Sequence, residues 1–294
     1  MRSLPFISIV TAALLAGLLY AAVPTTPPAG PAAASGGAPH QGADGATGPM
    51  AMGGGTPVAA ASTASILEQA RQTVGDHGLT AIRMVEDSLA QAATDSVQMA
   101  PGFARLARLW AGHHQGSAAG YYLALEAGLE KSPKKLTFAG RFFLNLVADA
   151  AADSPSVRMW NARQAVACFQ QAQALAPADS NQVDLATAYI EGTGETMQGV
   201  QLLLGIVRKD SGNVPALLIL GKLAIQSAQW DKAIGRFEQV LQQEPQNREA
   251  LYFLAEAYKG KGDRTQARAT FERVKKVVNN PAFSRDLDEY LKTF

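Results

Sequence analysis

The sequence predicts an all-α fold, a right-handed α-α superhelix of stacked helical hairpins behind an apolar N-terminal segment and a linker. Three observations carry that expectation. Hydrophobic residues make up 47% of the 294, yet aromatics are only 7%, and such an Ala-rich, aromatic-poor chain suits closely packed helices. The chain resembles itself at a spacing of 34 residues, the mark of a repeat architecture. At a fixed phase inside these units, in otherwise good helices, stand small residues such as Gly221 and Ala233.

The two clear units span 214–247 and 248–281. Leu217, Leu220, Gly221 and Ala224 shift by 34 onto Leu251, Leu254, Ala255 and Tyr258. Ala233, Phe237 and Val240 shift onto Ala267, Phe271 and Val274. A double shift backward takes Ala233, Phe237 and Pro245 to Ala165, Phe169 and Pro177. Antiparallel helices approach closely only where a side chain is nearly absent, which Gly221/Ala255 and Ala233/Ala267 provide, and Phe237 and Phe271 then fill the space between hairpins. Pro245 ends a helix that it cannot continue. Each hairpin leaves an apolar face for its neighbour to cover, so the units must stack.

This pattern of L-x-x-L-G-x-x-A/Y, then A-x-x-x-F, then P resembles the tetratricopeptide repeat. Two departures stand out. The Trp expected at the start is Leu in both clear units, and the last unit has Asn279, followed by Pro281, in place of its closing Pro. The resemblance implies a non-catalytic module that binds other proteins, with the first helix of each hairpin lining the concave side. The whole chain resembles bacterial membrane-tethered proteins of this kind.

Divergent units are expected at about 102–133, 136–178 and 179–213. In the last, the first helix comes into register after one extra residue in the turn "EGTGET", and Gly192 and Gly194 are explained there by flexibility. Upstream, Ala118 and Tyr122 are spaced like Ala233 and Phe237. Residues 63–96 read as two more helices broken at "GDHG", with Ile66, Leu67, Ala70 and Val74 on one face. The solenoid thus covers 63–294 and ends in a polar-backed cap helix at 282–293 carrying Phe283, Leu287 and Leu291.

Residues 1–23 hold the uncharged run Leu4–Val23. At ~1.5 Å per residue it is ~30 Å long, the thickness of a bilayer core. Two readings stand: a retained anchor, and a signal peptide removed by cleavage. Length favours the anchor, since signal cores run to about 7–15 residues. Leu19 and Tyr20 also occupy places that a cleavage site keeps small. Arg2 precedes the run, and the next Lys or Arg is Arg71. That bias leaves the N-terminus in the cytoplasm and the solenoid in the periplasm, on a single-pass inner-membrane protein of the bacterial envelope. Cleavage would instead yield a periplasmic or secreted protein. Residues 24–62 read as a disordered linker, because Pro24–Pro57 is nearly half Pro and Gly with Asp44 as its one charge.

Chemistry is sparse. No phosphate loop, H-E-x-x-H or G-x-S-x-G motif occurs. Cys168 is the lone cysteine, which rules out an internal disulfide and suits a buried filler. His113 and His114, adjacent in a turn, read as a solvated loop without a third metal ligand. The pairs Asp149/Asp153 and Asp286/Asp288 read as solvated charge. A net charge of +1 and one basic run at Arg273–Val278 give no nucleic-acid footprint. The expectation is no catalysis, no cofactor and no metal. Partners are other proteins, with the membrane met through Leu4–Val23 and self-association as the structural alternative.

The candidate binding strip is the first-helix face turned away from the second helix. In the clearest unit it holds Leu218, Lys222 and Ile225; adding 34 gives Tyr252, Glu256 and Lys259, and subtracting 35 gives Val183, Thr187 and Ile190. Tyr252 is the expected anchor, since a rigid aromatic with a hydroxyl suits a hot spot. The strip lacks the Lys/Asn/Arg set with which chaperone-binding relatives clamp a carboxylate, so an extended or helical segment is expected in it.

Overall fold

The computed structural model describes residues 59–92, 96–149 and 154–292. The expected anchor Leu4–Val23, the Pro24–Pro57 tether and Asp153 lie outside the described residues. Among the described helices, none is long and apolar enough to cross a membrane.

The described chain is helical with no strand. In order it forms α1 (Thr63–Thr73), α2 (Asp76–Gln91), α3 (Ser96–Gly112), α4 (Gly116–Leu129), α5 (Pro133–Ala148) and α6 (Pro155–Leu175). It continues as α7 (Asp179–Thr187), α8 (Thr196–Lys209), α9 (Val214–Gln226), α10 (Trp230–Gln243), α11 (Arg248–Lys261), α12 (Arg264–Val278) and α13 (Pro281–Leu291). Helix starts are written in the sequence. The side chains of Ser132, Ser154, Asn213, Asn247 and Asn280 accept first-turn backbone N–H groups, which satisfies donors that have no partner within the helix.

Helices α3/α4, α5/α6, α7/α8, α9/α10 and α11/α12 pair as hairpins. The small residues have a more specific role than close backbone approach. A β-carbon built on Gly221 would lie 2.6 Å from Cε1 and Cζ of Phe237. Gly140 meets Phe169 at 2.7 Å in the same way, and Gly120 meets Phe143 at 2.7 Å. Each glycine is the seat of an aromatic ring from a neighbouring helix, and the seated rings are fully buried. The Phe237 ring also stacks on Phe253 of α11, 6.0 Å away and 18° from parallel. One side chain therefore ties its own hairpin to the next.

Four expectations are corrected. The extra residue of the 179–213 unit does not sit in the turn. Helix α7 runs on through a wide π-helical turn at Ala188–Thr193, which takes up an added residue without breaking the helix. Gly192 lies in that turn, and its β-carbon would stand 2.9 Å from that of Ala162, so tight packing accounts for it. Gly194, at φ +77°, makes the turn itself. Tyr122 does not fill the space that Phe237 fills, for its hydroxyl donates to Glu86 of α2 at 3.3 Å and its ring lies on Phe103. His113 is no solvated loop residue: its ring covers Gly78, where a β-carbon would come within 2.4 Å of Nε2.

The first described residues are held to the middle of the stack. Ala61 N donates to Ser156 O at 3.0 Å, and Trp160 Nε1 donates to Thr63 Oγ1 at 3.3 Å. Residues 60–62, counted above with the linker, belong to the folded body, since Ala60 and Ala61 pack on the core and Ser62 caps α1. At the other end α13 lays Leu287 and Leu291 on Phe271 and Val274 and turns Arg285, Asp286 and Glu289 outward. Cys168 is buried among these cores, and burial pushes its thiol up to about 12.

Candidate protein-binding face

The first-helix strip divides into an apolar stretch that packs and a polar stretch that pairs. Leu218 and Ile225 are half-buried against the core that holds Leu217, Phe237 and Leu254. Val183 and Ile190 pack against Leu203, Ile206 and Leu220. The π turn has a direct consequence here: Ile190 points at Gly199 of α8, whose β-carbon would lie 2.5 Å from its Cγ1. Thr187 donates back to Val183 O at 3.0 Å, a satisfied helix hydroxyl. It lines a cleft of about 540 Å³ with Leu144, Asn145, Arg158 and Glu191, so Glu191 shares a surface with Thr187.

The polar stretch lies on α9, α11 and α13. Lys222 Nζ donates to Glu249 Oε1 at 2.9 Å and stands 5.9 Å from the centre of the Phe253 ring. The pair is half-exposed, at 35% and 45%, so solvent screens it and it fixes geometry more than it stabilises. Tyr252 is 36% exposed. Its ring is held edge-on by Phe253 at 5.6 Å and by Phe271 at 5.8 Å. Burial first, then the Glu256 carboxylate, raises its hydroxyl above the ordinary value of 10.0, so it remains a neutral donor.

Glu256 and Lys259 meet a residue that the sequence pattern did not single out. Tyr290 of the cap helix donates its hydroxyl to Glu256 Oε1 at 2.7 Å and accepts from Lys259 Nζ. The Lys259 ammonium also stands 4.1 Å from the centre of the Tyr290 ring. Burial and the Glu256 hydrogen bond push the Tyr290 phenol up to about 12. The strip is thus closed at its C-terminal end by the chain's own cap, and Tyr252 and Lys222 are its accessible polar members. The signal was present in the sequence, since Tyr290 stands 34 residues after Glu256, but the rotation of the cap was not.

Among the described residues, no group of three or more His, Cys, Asp or Glu is placed to hold a metal ion. Of the acidic residues considered, Asp149 is exposed, and Asp288 accepts from Lys275 at 2.7 Å.

Residues 224–285 match the tetratricopeptide repeat family. Solved structures resemble the chain at low identity. A crystal structure of MamA aligns at a TM-score of 0.47 with 15% identity over 63% of this chain and 94% of that one. MamA 41-end from Desulfovibrio magneticus RS-1 aligns at 0.47 with 17% identity over 62% and 96%. YrrB, described as a TPR protein with an unusual peptide-binding site, aligns at 0.44 with 14% identity over 70% and 97%. No curated protein matches the sequence. The matched residues run from the end of α9 into α13, through the units with the clearest 34-residue phase, so it is this stretch of the chain that is similar to tetratricopeptide repeats.

Proposed function

We propose that this protein is a non-catalytic scaffold that holds segments of partner proteins along its first-helix face, tethered to the bacterial envelope by Leu4–Val23. The observation that carries the reading is Tyr252. It is a large ring 36% exposed on the first helix of a matched repeat, held in place by Phe253 and Phe271. A preorganised aromatic of this kind gives up little conformational freedom when a partner covers it. Lys222 and the Val183–Ile190 stretch extend the same face. The tether rests on the length of the apolar run, with a periplasmic or secreted form as the outcome if the run is removed.

Affinity capture with the full-length chain, followed by mass spectrometry, tests the reading. It is supported by a partner that the wild-type chain retains and the Tyr252→Ala, Lys222→Glu double variant loses. A chain that captures only itself would make it a self-associating structural protein instead.

A further inference from the structure

The same face continues onto two helices outside the candidate strip. Gly140 seats Phe169 as Gly221 seats Phe237, so Gly140 on α5 is equivalent to Gly221 on α9. One residue on, Arg141 matches Lys222, and two residues back, Phe138 matches Ile219. The turn after α3 closes with Gln115 N donating to Trp110 O, as the turn after α9 closes with Gln229 N donating to Ala224 O. That offset sets Arg105 opposite Ile219 and Arg108 opposite Lys222.

These positions form an unusual surface. Neither α3 nor α5 contains an acidic residue, whereas α3 carries two arginines and α5 carries Lys134, Lys135 and Arg141. Arg105, Arg108 and Lys134 are exposed, and among the described residues no carboxylate is paired with them. Arg141 donates to Asp184 of α7 at 2.8 Å while its own side chain stays 58% exposed. Lys135 is turned the other way, onto Glu126 of α4 and Glu130 at its C-terminal cap. Among these cations lies Phe138, 60% exposed. Among the described residues, carboxylates return to the first-helix face from α7 onward, at Asp184, Glu191, Glu249 and Glu256.

We propose that the first-helix face of α3 and α5 is the docking surface for an acidic segment of a partner protein, one with an apolar side chain that covers Phe138. This rests on the scaffold reading above and names the chemistry of the partner. Charge complementarity selects the occupant: four cations and one exposed ring ask for carboxylates flanking an apolar residue. The chain's own Pro24–Pro57 stretch does not supply them, since Asp44 is its one charge. A nucleic acid or an anionic bilayer fits less well, because a continuous run of phosphates would meet Asp184 and Glu191 on the adjoining helix.

Fluorescence anisotropy with the full-length chain tests this, using a labelled peptide of alternating Glu-Leu-Asp units and a Lys-Leu peptide of the same length as control. The expected result is saturable binding of the acidic peptide alone, falling with added salt and weakened about tenfold or more by Arg105→Glu with Arg108→Glu. Phe138→Ser should weaken it independently of salt. Circular dichroism checks that these exposed substitutions leave the helices folded. No saturable binding, or binding indifferent to the charge reversal, overturns the proposal. Charge-reversible binding to phosphatidylserine vesicles or single-stranded DNA without peptide binding overturns it too. If captured partners depend on Tyr252 and Lys222 but not on Arg105 and Arg108, the scaffold reading stands and this inference alone fails.

Discussion

The Phe237 ring occupies the space that a side chain on Gly221 would need, with 2.6 Å between a β-carbon built there and the ring edge. Gly221 lies mid-helix in α9, where glycine costs about 1 kcal/mol relative to alanine. The seat exists because Phe237, fully buried, must reach both α9 and Phe253 on α11. Gly221→Leu should therefore lower stability by about 3 kcal/mol, the upper end of overpacking costs. Gly235→Ala is the control: nothing lies within 4 Å of its β-carbon position, so removing the helix penalty should stabilise by up to about 1 kcal/mol. Thermal melts of the two variants should move in opposite directions. A Gly221→Leu protein that melts with the wild type would show that the ring does not sit there.

Alkaline pH should destabilise the fold through groups that burial keeps protonated. Cys168 is raised from 9.0 to about 12, Tyr121 from 10.0 to about 12, and Tyr122 is raised by burial and then by the Glu86 charge. Each folded value lies above its unfolded one, so the folded state binds more protons in the interval. The stabilisation is complete below about pH 9 and is lost progressively as pH rises toward about 12, with a limiting slope of about 1.4 kcal/mol per pH unit for each group. Melting temperature measured from pH 8 upward should fall across that window. Cys168→Ala should reduce the slope at its lower edge, and an unchanged slope would remove the thiol from the account.

Cys168 gives a second, kinetic readout. A thiol that is buried and held neutral reacts only when the chain opens. Labelling by an aromatic disulfide reagent at pH 8 should be negligible in the folded protein and complete in denaturant. Rapid stoichiometric labelling of the native chain would contradict the burial of α6.

Replacing Tyr252 and Lys222 tests the binding face at the edge of the core, where Tyr252 rests on Phe253 and Phe271. Tyr252 is part-exposed and Lys222 is screened by solvent, so Tyr252→Ala with Lys222→Glu should cost about 1 kcal/mol of stability or less for each change. The same double change should weaken a partner bound there by about 2 kcal/mol or more if Tyr252 is a hot spot. Calorimetry on a captured partner checks this, and unchanged affinity would move the site elsewhere on the solenoid.

The N-terminal run makes a cellular prediction. Membrane fractionation with N-terminal sequencing should recover a protein that retains Leu4–Val23, its solenoid digested by protease in spheroplasts. A soluble species beginning near Pro24 would establish cleavage, and protection in spheroplasts would reverse the orientation.

The sequence by itself determined the helices, their pairing phase and the residues at the ring seats. Capping side chains, proline positions and the spacing of Gly221, Ala233 and Phe237 act within a few residues of one another, and a 34-residue repeat copies them into each unit. Only the tertiary structure decided what crosses between units. It moved the extra residue into the π turn at Ala188–Thr193, which carried Ile190 onto Gly199. It paired Lys222 with Glu249, closed Glu256 and Lys259 with Tyr290, and tied Thr63 to Trp160 across 97 residues. Such contacts depend on the rotation and offset of whole helices, which many packed side chains fix together. A local pattern can name the helix that carries a charge, but the partner of that charge is chosen by the packing.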